Sequence, residues 1–141
     1  LYTLDQDDTY TGIDKLQVFI NRFPNSEYVS EALELMNDLQ NKLEEKDFEI
    51  SKQYYTIRDY KSAIKALDNF VADNPGTIFR EEALYYKWLS QFEIAINSIE
   101  SRIVDRVTEL ERSLDNFLRN YPDTIFIEDL SKKINIAKQL L

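Results

Sequence analysis

The chain contains no cysteine and no histidine, and it has 2 glycines, 3 prolines and one tryptophan in 141 residues. Without cysteine there is no disulfide framework and no thiol chemistry, although such a chain suits reducing and oxidising compartments alike. Without either residue, the usual nucleophile and base pairs and zinc sites cannot be assembled, and no catalytic or metal-binding residue is expected. So few breakers, beside 43% hydrophobic and 30% charged residues, favour an all-α fold. No apolar run approaches the ~20 residues of a membrane span, and the N-terminus lacks a basic and apolar signal sequence. Basic residues are outnumbered 17 to 26, for a formal charge of -9. That balance repels phosphate backbones and anionic lipid faces, so nucleic acid is not expected as a partner.

What is present is a repeat. Leu67, Phe70 and Val71 precede Pro75 by eight, five and four residues, as Leu16, Phe19 and Ile20 precede Pro24, and Leu114, Phe117 and Leu118 precede Pro122. An aromatic follows each proline at the fourth place: Tyr28, Phe79 and Phe126. The period of about fifty residues is the length of two helices and two turns, so each unit reads as a helical hairpin that must bury its apolar face against its neighbours. The spacing predicts a superhelical array of about six antiparallel helices, near 8–22, 28–57, 59–73, 79–102, 104–120 and 127–140, in one domain.

Local signals place the ends. Asp7 or Asp8 is expected to cap the first helix, Ser26 or Ser30 the second, and Thr77 the fourth. The second helix should be longest, near 25 residues. Its middle, Asn37 to Lys46, reads as a solvated charged face, with a functional acidic patch as the sharper alternative. The fourth helix is apolar in nearly all directions and should be the hub, buried on two sides. Its polar residues Asn97 and Ser98 are expected to bond across to a neighbouring helix. Tyr85, Tyr86, Trp88 and Phe92 either fill the core or line a groove.

Carboxylates offer no better chemistry. Asp5-Gln6-Asp7-Asp8-Thr9 suggests a calcium loop, but that pattern needs Gly where Tyr10 stands and Glu where Leu16 stands. Glu44-Glu45 and Glu81-Glu82 fall on helix surfaces, where paired acids face solvent. No enzyme activity and no cofactor are expected.

From Phe48 to Pro75 the sequence resembles the tetratricopeptide pattern: Ser51 and Ala63 stand at the small places, Tyr54 at the aromatic place and Pro75 at the terminating proline. Asp47 departs from it, standing at an apolar place that Phe48 can fill, and the repeat is longer than the usual 34. More closely, Leu16 to Tyr28, Tyr54 to Ile64 and Asn97 to Ser101 resemble the BamD family, in the form associated with Bacteroidetes-type bacteria. These are the tetratricopeptide lipoproteins of the outer-membrane β-barrel assembly machinery. The chain begins with Leu1 and resembles the C-terminal repeats of that family. The resemblance implies an N-terminal lipid anchor outside this sequence, a place on the periplasmic face of the outer membrane, and binding to the POTRA domains of the barrel-assembly protein, with other assembly lipoproteins as further possible partners. In tetratricopeptide arrays the first helix of each hairpin lines the concave face. By register with Pro75 this places Phe48, Lys52 and Tyr55 in a protein-binding groove, with Arg58 and Lys61 near its rim. A generic adaptor holding a peptide or helix of another partner is the alternative reading.

Overall fold

Three prolines divide the chain. The structure, a computed structural model, describes residues 6–141, which fold into six α-helices. They are α1 (Asp7–Arg22), α2 (Val29–Thr56), α3 (Tyr60–Asp73), α4 (Arg80–Ile96), α5 (Glu100–Asn120) and α6 (Ile127–Lys138). The opening stretch, and with it Asp5 of the calcium-loop pattern, lies outside the described residues.

One turn is built three times. Phe23, Asn74 and Tyr121 end α1, α3 and α5, each donating its N–H to the carbonyl of Phe19, Phe70 or Phe117 at 2.9, 3.0 and 2.9 Å. The proline that follows cannot continue the helix. Ser26, Thr77 and Thr124 then donate N–H to the carbonyls of Phe23, Asn74 and Tyr121 at 3.1, 3.1 and 3.2 Å. Their hydroxyls accept the N–H of Tyr28, Phe79 and Phe126 at 3.2, 3.2 and 3.3 Å.

The predicted caps are corrected accordingly. Tyr28 and Phe79 occupy the cap positions of α2 and α4 with no side-chain bond, because Ser26 and Thr77 act two residues earlier, and Ser30 lies inside α2. Asp7 and Asp8 lie in the first turn of α1, where their charge meets the positive helix end, and Gln6 holds the cap position. The clearest cap is Asp59 on α3, whose carboxylate accepts from the Ser62 backbone N–H at 3.2 Å and the Ser62 hydroxyl at 2.7 Å.

Helices α2, α4 and α6 lie side by side, with α3 packed against α2 and α4, and α5 against α4 and α6. Helix α4 is the hub: it touches α2, α3, α5 and α6. It supplies buried Trp88, Leu89, Phe92 and Ala95 to a core shared with Val107, Leu110, Leu114 and Phe117 of α5 and Leu130, Ile134 and Ala137 of α6. Trp88 Nε1 donates to the Leu110 carbonyl at 3.1 Å, which lets the indole be buried at no polar cost. A second cluster joins Phe48, Ala63, Leu67, Phe70 and Ala83. Helix α1 contributes no buried residue, although Gly12 brings it close enough to α2 that an added Cβ would stand 3.3 Å from Leu39 Cδ1. The middle of α2 is exposed at Asn37, Asp38, Gln40 and Lys42 and is held by buried Leu43.

The fourth helix ends at Ile96, six residues before its predicted end. Asn97 Nδ2 and Ser98 Oγ turn back to the Glu93 and Ile94 carbonyls of their own helix at 2.8 and 2.6 Å, satisfying the last turn. Ile99 then adopts an extended φ of -65° and ψ of 151°. Only Ser98 also bonds across, accepting from Arg106 Nη1 of α5 at 2.5 Å.

Candidate functional site

The fold does not bring the five residues singled out from the sequence into one groove: Lys52 lies on Phe48, Tyr55 meets Arg58, and Lys61 is exposed. Phe48 is 1% exposed: Phe79 stacks on it at 5.5 Å between ring centroids, with Phe70 at 5.7 Å and Tyr86 at 6.4 Å. It is a core residue and lines no groove, because α4 closes over the α2 face that the register left open. Lys52 lies above it, with Nζ 4.9 Å from the Tyr86 ring centroid and 5.7 Å from that of Phe48, and between the carboxylates of Glu49 (3.8 Å) and Glu82 (3.9 Å). Its charge is already answered within the protein. Lys61 is exposed in the first turn of α3.

Tyr55 and Arg58 do meet. They line an open depression of about 480 Å³ with Thr56, Tyr60 and Glu93, where the ends of α2 and α4 approach the start of α3. Tyr55 packs on Tyr60 at 5.8 Å and edge-on to Tyr86 at 5.3 Å. Burial, then the nearby Glu93 carboxylate, pushes its hydroxyl pKa up, so it is a neutral donor at ordinary pH.

Arg58 is the one non-glycine residue with positive φ, 65°, among the described residues. Its N–H bonds the Tyr55 carbonyl at 3.0 Å and the Asp59 N–H bonds the Tyr54 carbonyl at 2.9 Å, closing the end of α2 in the way a glycine usually does. Among the described residues the guanidinium enters no ion pair. The depression thus offers a free cation, a carboxylate and phenolic donors around an aromatic wall.

A second network, unread in the sequence, spans α4 and α6. The Tyr85 hydroxyl donates to Asp129 Oδ2 at 2.5 Å, Lys133 Nζ pairs with Asp129 Oδ1 at 2.6 Å, and Tyr85 stacks on Phe126 at 3.9 Å. Burial, then the hydrogen bond to Asp129, drives the Tyr85 pKa far up. Burial alone would raise Asp129, but its bonds from Lys133 and Tyr85 outweigh that and hold it below the usual carboxylate range. The Asp129 and Lys133 spacing of four is the sequence signal for half of this network; the tyrosine across the helix pair has none. Of the four aromatics left open, Trp88 and Phe92 fill the core at 2% and 4% exposure, whereas Tyr85 and Tyr86 are half-buried on the strip facing α2 and α6.

Among the described residues no group of three or more acidic side chains is placed to hold a metal, and no helix is long and apolar enough to cross a membrane. A family model described as YfiO, outer membrane lipoprotein, matches residues 2–56 and 50–141. No curated protein matches the chain.

Proposed function

The chain belongs to the YfiO family of outer-membrane lipoproteins, the BamD-type family its motifs resemble, and from that premise we propose that it is a non-catalytic scaffold docking the POTRA domains of the barrel-assembly protein. The family works in outer-membrane assembly at the periplasmic face of the membrane. In this reading the helical array supports insertion of β-barrel proteins by holding its partner in place.

The observation that carries the reading is the family match over both stretches of the chain. The geometry adds a surface suited to it. Tyr55, Arg58, Tyr60 and Glu93 form a polar and aromatic depression of the kind that anchors interfaces, where a few aromatic and arginine side chains carry most of the binding energy. Lys61, in the first turn of α3, stands at its edge in sequence and joins Arg58 as a steering charge.

Calorimetric titration of this chain with the POTRA array of the same organism tests the proposal. Saturable binding at micromolar concentration is expected, weakened ~10-fold or more by Arg58→Glu. Absence of heat at tens of micromolar, with the array shown folded, sinks it.

A further inference from the structure

Helices α3 and α5 both pack on α4, yet their backbones stand apart from each other. The outer side of α4 is therefore the floor of a groove with α3 and α5 as walls. Two depressions lie along it. One, of about 130 Å³, is lined by Ile64, Gln91, Ile94, Arg106, Glu109 and Leu110. The other, of about 70 Å³, is lined by Leu84, Lys87, Trp88, Ser113, Asn116 and Asn120, among others. The bond from Ser113 Oγ to Gln91 Oε1, 3.2 Å, marks the waist between them.

The α5 wall repeats regularly. Arg102, Arg106, Glu109, Ser113, Asn116 and Asn120 recur every three or four residues and so share one helix stripe. At 1.5 Å per residue this stripe runs about 27 Å, the length of roughly eight residues of extended chain. Asn116 and Asn120 are four residues apart, about 6 Å along the helix, close to the two-residue repeat of a β-strand. Both are exposed; Asn120 Nδ2 donates to the Asn116 carbonyl, which leaves its Oδ1 and the whole Asn116 carboxamide open.

Charge distinguishes the two ends. At the Ile94 end, Arg102 and Arg106 of α5 and Lys61 of α3 enter no ion pair among the described residues; Arg106 bonds the neutral Ser98 hydroxyl. The groove's remaining charges are matched: Lys87 with Asp68 at 2.6 Å and Glu109 with Arg112 at 2.9 Å. A chain of net charge -9 thus carries an unneutralised basic end on an apolar, amide-walled groove.

We propose that the groove between α3 and α5 binds an extended segment of a partner protein. Acidic side chains of that segment lie against Arg102, Arg106 and Lys61, an aliphatic side chain enters the depression of Ile64 and Ile94, and its backbone meets the carboxamides of Asn116 and Asn120. The occupant follows from charge complementarity and from the match between carboxamide spacing and strand repeat. This surface shares no lining residue with the depression of Tyr55 and Arg58, although Lys61 stands between the two, and it does not depend on the POTRA reading.

The probes are two decapeptides, each with three aspartates at one end followed by alternating valine and threonine, in opposite orders, and a third in which lysine replaces aspartate. They are titrated against the uniformly labelled full chain by NMR. Shifts are expected at the Trp88 indole N–H, at the Gln91 and Asn116 carboxamides and at the Ile64 and Ile94 methyls, for at least one acidic order and not for the lysine peptide. Arg102→Glu, at an exposed side chain that bonds nothing, should weaken binding about tenfold, and Arg102→Glu with Arg106→Glu should abolish it, with helical circular dichroism unchanged. No shifts at about 1 mM peptide, a weak limit for such a segment, or shifts confined to Tyr55 and Tyr60, would overturn the proposal. So would equal binding of the lysine peptide.

Discussion

Arg58 holds a backbone conformation that a side chain disfavours by about 1 kcal/mol. The end of α2 needs it, since the paired bonds from Arg58 and Asp59 close only with that residue left-handed. Replacing it by glycine should therefore raise stability by about 0.5–1 kcal/mol in urea denaturation while weakening POTRA binding, because strain and charge leave together. A loss of both would mean that the guanidinium supports the fold. Tyr85 and Asp129 give a pH signature. The depressed Asp129 pKa contributes stability present above its ordinary value of 3.8 and lost as pH falls through the folded value. The raised Tyr85 pKa contributes stability present below 10.0 and lost as pH rises beyond it, and Tyr55 acts in the same direction. The urea midpoint should be flat between roughly pH 5 and pH 9 and fall on both sides. Tyr85→Phe should cost about 1–2 kcal/mol at neutral pH by removing a hydrogen bond to a charged acceptor, and should leave only the share of Tyr55 in the alkaline fall. An unchanged alkaline limb would show that Tyr85 titrates alike folded and unfolded.

At the scale of the element, the recurring turn is the feature to perturb. The Thr77 hydroxyl, in a residue 6% exposed, accepts the Phe79 N–H at the start of the hub helix. Thr77→Val keeps the shape and removes the acceptor, so it should destabilise by about 1–2 kcal/mol. Asp59→Ala, which uncaps α3 at an exposed site, should cost about 1 kcal/mol, and thermal unfolding of the two variants would rank them. The helices were legible because leucine, phenylalanine and proline stand at fixed offsets in each repeat. The starts of α2 and α4 fall within one residue of their expected places, but their caps were misassigned because a serine or threonine two residues before an aromatic reads like a cap, when the turn consumes its hydroxyl first. The end of α4 was overrun for a different reason. Ile99, 69% exposed, continues the apolar pattern of the sequence, and only the return of Asn97 and Ser98 to their own helix shows where the chain turns. Phe48 fails likewise: register gives the direction of a side chain and not which later helix covers it.

For the whole molecule, a repeat specifies what a middle helix must touch and leaves its ends undetermined. The two ends differ in charge as well as in burial. Residues 1–50 carry 12 acidic and 4 basic residues, whereas 51–141 carry 14 and 13. Eight of the nine net negative charges therefore lie in residues 1–50, the stretch that holds α1 and most of α2, and α1 buries no residue at all. In stacked hairpins stability is close to a sum of local and nearest-neighbour contributions, so such arrays open from their weakest end. Native-state hydrogen exchange should show α1 and the first turns of α2 exchanging at the lowest opening free energy and the Trp88 to Ala95 amides of α4 at the highest. Like charges crowded on that end repel, and salt screens them over about 10 Å at 0.1 M. Added salt should thus slow exchange in α1 more than in α4. Uniform protection across α1 and α4 would mean that all six helices open as one unit, and then the hub position of α4 would set cooperativity for the entire array instead of for its own neighbours.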